Sequence, residues 1–239
     1  MSPATAFASP PSPTSQEIEV RLDVAIRPVA VEKPPSLDGL LRLAESDMAA
    51  VDVLIRRHMD SPVPVIPALA DHLIAGSAKR LRPLLTVAAA RLAGARDDAC
   101  LKLAAAVEFI HTATLLHDDV VDSSQLRRGR IAAHLIWGAP SSVLVGDFLF
   151  ARAFELMVGA GSMPALEILA RASRVIAEGE VLQLTRAHDL DLNQDVYLEI
   201  IKAKTAELFA AAAEAGAVSA NAPPERCRAL RNYGQDLGL

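Results

Sequence analysis

An all-α fold is the class this sequence predicts, on three observations. Alanine supplies 44 of the 239 residues, and alanine is the strongest helix former. Aromatic residues amount to 4%, too few for a β-sandwich, which is built from aromatic and β-branched side chains. Apolar residues recur at intervals of three and four along most of the chain, and neither strand-like alternation nor an internal repeat stands out. With 51% hydrophobic and 22% charged residues, the chain can bury a sizeable core, and its length suits one domain or one and a half.

Taken in order, residues 1–36 hold seven of the fifteen prolines, mixed with serine and alanine. Little apolar periodicity runs through them, so a flexible tail is expected there. The folded part, 37–239, opens with Leu40, Leu41, Leu43, Met48, Val51, Leu54 and Ile55 at helical spacing, with Ser36 available as N-cap. This amphipathic helix is expected to end near Asp60. The segment SPVPVIP reads as a proline-punctuated connector to a short helix from Ala68 to about Ile74, followed by a basic loop from Gly76 to Arg82. Pro83 to Ala93 reads as a helix with proline in its first turn. Ala99 to Val121 is apolar almost all round, the pattern of a helix buried in the middle of a bundle, so its polar residues need a reason. Further helices are predicted from Ser141 to Val158, Pro164 to His188 and Asp195 to Val218, with a last one opening at Pro223 and unfinished at Leu239.

The charge balance narrows the partners. Lys plus Arg number 24 against 29 Asp plus Glu, a net charge of −5, which argues against general attraction to nucleic acid or anionic lipid. Any anion site must be a local cluster. The first residues lack the basic and apolar segments of a targeting signal. The longest stretch without Asp, Glu, Lys or Arg, Ile131 to Gly146, carries His134, Pro140, two serines and two glycines, so no transmembrane segment is predicted. Cys100 and Cys227 make no disulfide framework and no metal-ligand spacing, which suits a reducing, cytoplasmic location.

On a helix, His111, Asp118 and Asp122 point within roughly 40° of one another. Asp118, Asp119 and Asp122 also fall where the central helix should end, and carboxylates are disfavoured at that negative end of the macrodipole. A hard divalent cation is the natural neutraliser, and Mg²⁺ held by one or two carboxylates, waters and phosphate oxygens matches the ligand type. The alternative is an acidic helix end lying in water. Two short cationic clusters flank this stripe, Lys79-Arg80-Leu81-Arg82 upstream and Arg127-Arg128-Gly129 downstream. Guanidinium groups bind phosphate oxygens bidentately and lysine supplies a point charge. Either cluster alone is more often a solvated face.

Together these residues resemble a trans-type polyprenyl diphosphate synthase of the isoprenoid synthase fold. FIHTATLLHDDVVDSSQLRRG contains a D-D-x-x-D motif in its usual position relative to R-R-G. AKRLRP precedes it, and GEVLQL and KTAELF follow. The resemblance implies a bundle of mostly antiparallel helices around a central cavity. It implies that Asp118 and Asp122 ligate Mg²⁺ on an allylic diphosphate, with Asp119 assisting and Arg127 holding that diphosphate. Lys79, Arg82, His111 and Arg128 would bind the diphosphate of isopentenyl diphosphate, and Gln183, Lys204 and Thr205 would face the allylic substrate. Ala113, five positions before Asp118, would face the tunnel that holds the growing chain, and its small side chain implies a long product of the quinone side-chain type. The family is usually homodimeric.

This sequence departs from the family pattern in three places. Ser77 and Ala78 stand where a glycine pair usually precedes Lys79, and Ile131 stands where proline is common. The chain also ends at YGQDLGL, where the family continues into a second aspartate-rich motif, so it reads as the N-terminal two-thirds or so of such a domain, C-terminally incomplete. Condensation is not expected from these residues alone. A non-catalytic partner subunit or degenerate paralogue is the alternative reading, favoured by the missing second motif as the intact first motif favours a prenyltransferase. A terpene cyclase on the same fold would have no use for the residues expected to bind isopentenyl diphosphate.

Overall fold

The computed structural model describes residues 36–74, 80–187 and 193–239, and Lys79, His188 and nearly all of the proposed tail lie outside them. The chain divides into Met1–Asp38 and Gly39–Leu239, and the helical core belongs to the second unit. Ten α-helices run through the described residues: α1 Asp38–Met59, α2 Val65–Ile74, α3 Leu81–Leu92, α4 Ala99–Val121, α5 Ala133–Trp137, α6 Ala139–Gly159, α7 Met163–Thr185, α8 Gln194–Ile201, α9 Glu207–Ser219 and α10 Pro224–Gly238. A π-helical turn, Lys202–Ala206, joins α8 to α9.

The central position expected for α4 is observed. It packs most extensively on α6 and also against α3 and α9, while α9 packs on α10, α3 and α7. Leu103, Val107, Phe109, Ile110 and Leu116 of α4 are buried together with Val51 and Ile55 of α1, Leu149 of α6, Leu169 of α7 and Leu208 of α9. By length and composition α4 could cross a membrane, but 72% of its most apolar window is buried inside the protein, so its apolar character serves the core. At its C-terminus, Ser123 adopts a left-handed φ of 51° and Ser124 donates its backbone N–H to the carbonyl of Asp119 at 3.0 Å. Ser123 donates likewise to Val120, completing a Schellman stop. That stop leaves Asp122 at the cap.

Four local features differ from the sequence reading, one of them α5, a five-residue helix where none was expected. Leu126–Arg127 and Arg130–Ile131 form a small antiparallel hairpin where no strand was expected. Two residues per strand are too few to show an alternating pattern, and pairing is set instead by the turn, in which Arg128 and Gly129 both have positive φ, as a type I′ turn requires. The hairpin is tied to α2: Arg130 Nη1 donates to the His72 carbonyl at 2.8 Å, and His72 Nε2 donates to the Ile131 carbonyl at 2.9 Å. Helix α2 starts at Val65 rather than Ala68, because Pro67 fits a first turn whose N–H groups have no intrahelical acceptor. The helix expected from Asp195 to Val218 is interrupted by the π-turn. There α7 comes so close that a Cβ built on Gly179 would lie 2.6 Å from Ala203 Cβ, and the extra residue of the π-turn accommodates that approach.

Candidate active site

The end of α4, the π-turn and the C-terminal part of α7 converge on one acidic site. Asp118 is half-buried, and its carboxyl is pushed up to about 6, chiefly by burial, with the negative charges of Glu180 and Asp122 adding to it against Lys204 and Arg127. Lys204 Nζ lies 2.6 Å from Glu180 Oε2 and donates to Gln183 Oε1 at 2.7 Å. Glu180 and Gln183 sit three residues apart on α7, so one lysine reaches both. Thr205 is exposed beside Lys204 on the π-turn.

Asp119 points elsewhere. It is fully buried, and Arg127 Nε donates to its two oxygens at 3.0 and 3.2 Å, with a further bond from Arg127 Nη2. This pairing holds the Arg127 guanidinium above its ordinary range despite burial. The structure thus joins Asp119 and Arg127 to each other: the carboxylate expected to assist the metal anchors the arginine at the base of the hairpin.

A basic cleft lies further up α4. It is a narrow cleft lined by Arg80, Glu108, His111, Thr112, Arg127 and Arg128, among others. Arg82 is mostly buried, which lowers its guanidinium to about 10, with Glu108 opposing that shift and Arg128 adding to it. It lies 4.2 Å over the Phe209 ring and donates from Nη1 to His111 Nε2 at 3.3 Å. A guanidinium only donates, so the imidazole accepts at Nε2, and a neutral ring then carries its proton on Nδ1. Burial, with the positive charges of Arg82, Arg128 and Arg127, depresses His111 to about 3 and keeps it neutral.

Of the residues singled out in the sequence, Asp118, Asp122, Gln183 and Lys204 gather around the C-terminal end of α4, and Arg82, His111 and Arg128 lie about two turns earlier. Ala113 is fully buried, on a face of α4 turned away from His111 and Asp118. Three participants were missed. Glu108 is a buried carboxylate in the apolar run of α4, its pKa raised by burial against Arg80, Arg82 and Arg128; a single carboxylate within the apolar stretch from Leu103 to Leu116 was its signal. Glu180 lies within GEVLQL, one turn before Gln183. Arg80 was visible only as part of a basic loop.

The donor set fits a hard cation. Asp118 is a carboxylate destabilised by its carboxylate neighbours, and such a cluster is relieved by a divalent ion with oxygen ligands. Among the described residues no three Asp, Glu, His or Cys side chains close around one point, so an ion there would take two carboxylates and complete its shell with water or phosphate oxygens.

Comparison with known proteins bears on the family and the fold. Residues 63–239 match the family model described as polyprenyl synthetase. The chain is 45% identical over 203 residues to octaprenyl diphosphate synthase of Escherichia coli (strain K12), covering 85% of this chain and 63% of that protein. It is 42% identical over 200 residues to the geranyl-diphosphate-specific all-trans-nonaprenyl-diphosphate synthase of Rhodobacter capsulatus, covering 83% and 61%. Among solved structures, a polyprenyl synthase from Caulobacter crescentus CB15, complexed with calcium and isoprenyl diphosphate, superposes with a TM-score of 0.84 at 73% identity, over 87% of this chain and 63% of that one. A decaprenyl diphosphate synthase from Rhodobacter capsulatus gives 0.83 at 56% identity, over 85% and 63%. The chain therefore spans somewhat under two-thirds of the length of these relatives. With its fold, its motifs and most of its length matched, the chain belongs to the polyprenyl synthetase family.

Proposed function

We propose that this chain forms the substrate-binding part of a prenyltransferase that condenses isopentenyl diphosphate with an allylic diphosphate to make a long-chain polyprenyl diphosphate of the quinone side-chain type. The observation that carries the reading is one helix with two opposite chemistries: Asp118 and Asp122 at its end, and His111 with Arg82 and Arg128 two turns earlier. Mg²⁺ is the cofactor in this reading, held by Asp118 and Asp122, and when bound it supplies Lewis-acid stabilisation of a departing diphosphate. Arg127, Lys204, Gln183 and Thr205 face the allylic diphosphate. Lys79, Arg82 and Arg128 bind the diphosphate of isopentenyl diphosphate, and His111, kept neutral, offers Nδ1–H as a donor.

No protein nucleophile is required. The allylic C–O bond breaks with its electron pair leaving on the diphosphate, and the double bond of isopentenyl diphosphate attacks the freed carbon. A proton is then lost to the departing pyrophosphate. Fixed guanidinium and ammonium groups stabilise the developing negative charge without reorganising, and the apolar core between the clusters keeps water from the cation. The octaprenyl and nonaprenyl products named for two relatives, and the small side chain of Ala113, support a long product. A homodimer in the cytoplasm completes the reading, supported by exposed apolar side chains on α6 and by two free cysteines.

The test is incorporation of labelled isopentenyl diphosphate by a chain extended to its relatives' length. Wild type is expected to elongate an allylic starter, and Asp118→Ala to lose roughly a thousandfold in turnover with little change in thermal unfolding. No elongation by wild type, or wild-type turnover in Asp118→Ala, overturns the reading.

A further inference from the structure

Three charged side chains without a role so far meet where α3 begins. Arg80 Nε lies 2.8 Å from Asp52 Oδ1 on α1, and Arg80 Nη1 lies 3.5 Å from Glu108 Oε1 on α4. The Arg80 side chain is 15% exposed and that of Glu108 7%, against 42% for Asp52. The backbone at Arg80 is left-handed, with φ 44° and ψ 41°, and it is the residue that caps α3. A non-glycine residue persists in that conformation only where its surroundings over-determine it. Here two carboxylates from two different helices act on one guanidinium by charge alone, since Asp52 Oδ1 and Arg80 Nη1 are buried without a hydrogen-bond partner.

Arg82 follows two residues later in the first turn of α3, its guanidinium directed at His111 and over Phe209. Its own Nε is buried without a hydrogen-bond partner, so its other two contacts do not fix it fully. Any rotation of the backbone at Arg80 swings that first turn and carries Arg82 with it. Glu108 also lies one turn before His111 and lines the same cleft. We infer that Asp52, Arg80 and Glu108 form an ion-pair clamp that positions Arg82 for the diphosphate of isopentenyl diphosphate, an inference that rests on the function proposed above. None of the three is a catalytic residue; they act through Arg82.

The sign of one effect separates the clamp from a simple field. Asp52→Asn and Glu108→Gln each remove a negative charge near an anion site, and through-space attraction alone makes anion binding tighter. Loss of the clamp makes it weaker. Titration calorimetry with inorganic pyrophosphate, without added metal, on the 239-residue chain reads this directly. Each variant is expected to bind pyrophosphate about tenfold more weakly, equivalent to roughly 1.4 kcal/mol. Asp47→Asn serves as control: it breaks the Asp47–Arg91 pair between the same two helices, about 16 Å further along α3, and should leave affinity unchanged. Thermal unfolding of each variant accompanies the titration. If Glu108→Gln does not fold, Asp52→Asn, with its more exposed carboxylate, decides the matter. Unchanged or tighter binding in Asp52→Asn overturns the clamp, as does an equal loss in Asp47→Asn. Absence of pyrophosphate binding by wild type overturns the anion site itself and the clamp with it.

Discussion

At the scale of single residues, the stripe of His111, Asp118 and Asp122 was readable because a helix turns 100° per residue and α4 is unbroken. The partnership of Asp119 with Arg127 was not. It joins residues eight apart across a helix stop and a hairpin turn, whose left-handed Ser123 and Arg128 have no strong sequence signature. Nor could spacing tell that Glu180 would stand near Asp118, since that depends on how α7 lies against α4. Ala113 occupies an intermediate position: its burial followed from the apolar run of α4, and its role in product length is a proposal. Replacing it by phenylalanine adds a ring to a closed core, at a cost of about 1–3 kcal/mol. In an extended chain that still folds, Ala113→Phe is expected to shift products toward shorter prenyl chains while condensation continues. Chromatography of the products checks this, and an unchanged distribution removes Ala113 from the tunnel wall.

Among elements, the π-turn shows most clearly where periodicity stops being informative. The apolar pattern from Asp195 to Val218 is continuous enough for one helix, and only the opposing surface of α7 reveals the inserted residue. Gly179 is the contact that demands it. Adding a methyl there brings Ala203 Cβ to 2.6 Å, so the π-turn must move away, and Lys204 moves with it from Glu180 and Gln183. Gly179→Ala is therefore expected to lower unfolding stability by about 1–3 kcal/mol, the usual cost of overpacking, measured by chemical denaturation. Unaltered stability would mean that the turn has slack. Apart from the short α5, which no periodic pattern announced, the other helices were legible to within a few residues, since their boundaries rest on local signals. Ser162 accepts from the backbone N–H of Ala165 at 3.3 Å, and Asn193 from that of Val196 at 2.9 Å, both as N-caps.

Across the molecule, α6 leaves three large apolar side chains uncovered, interleaved with the exposed carboxylates of Asp147 and Glu155. Leu144, Phe154 and Val158 are 66%, 47% and 67% exposed and share one face of the helix, with Leu135 and Ile136 of neighbouring α5 also exposed. Such a group in a water-facing position marks an interaction surface, and a second copy is the partner in the proposed reading. The double substitution Phe154→Glu with Val158→Glu is expected to convert a dimer into a monomer by sedimentation velocity, with unfolding stability changed little because neither side chain belongs to the core. A wild-type chain that sediments as a monomer removes the dimer from the proposal.

Helix α4 also acts as a ruler. His111 and Asp118 are seven residues apart on a rigid, fully hydrogen-bonded rod, which sets about 10.5 Å between them along the axis. Loops lengthen and shorten readily in evolution, whereas the rise of a buried helix does not. The separation between the two proposed diphosphate sites is thus a constant of the scaffold, and in the proposed function product length is left to whatever lies beneath the growing chain. One architecture can then yield many product lengths from a single unaltered reaction.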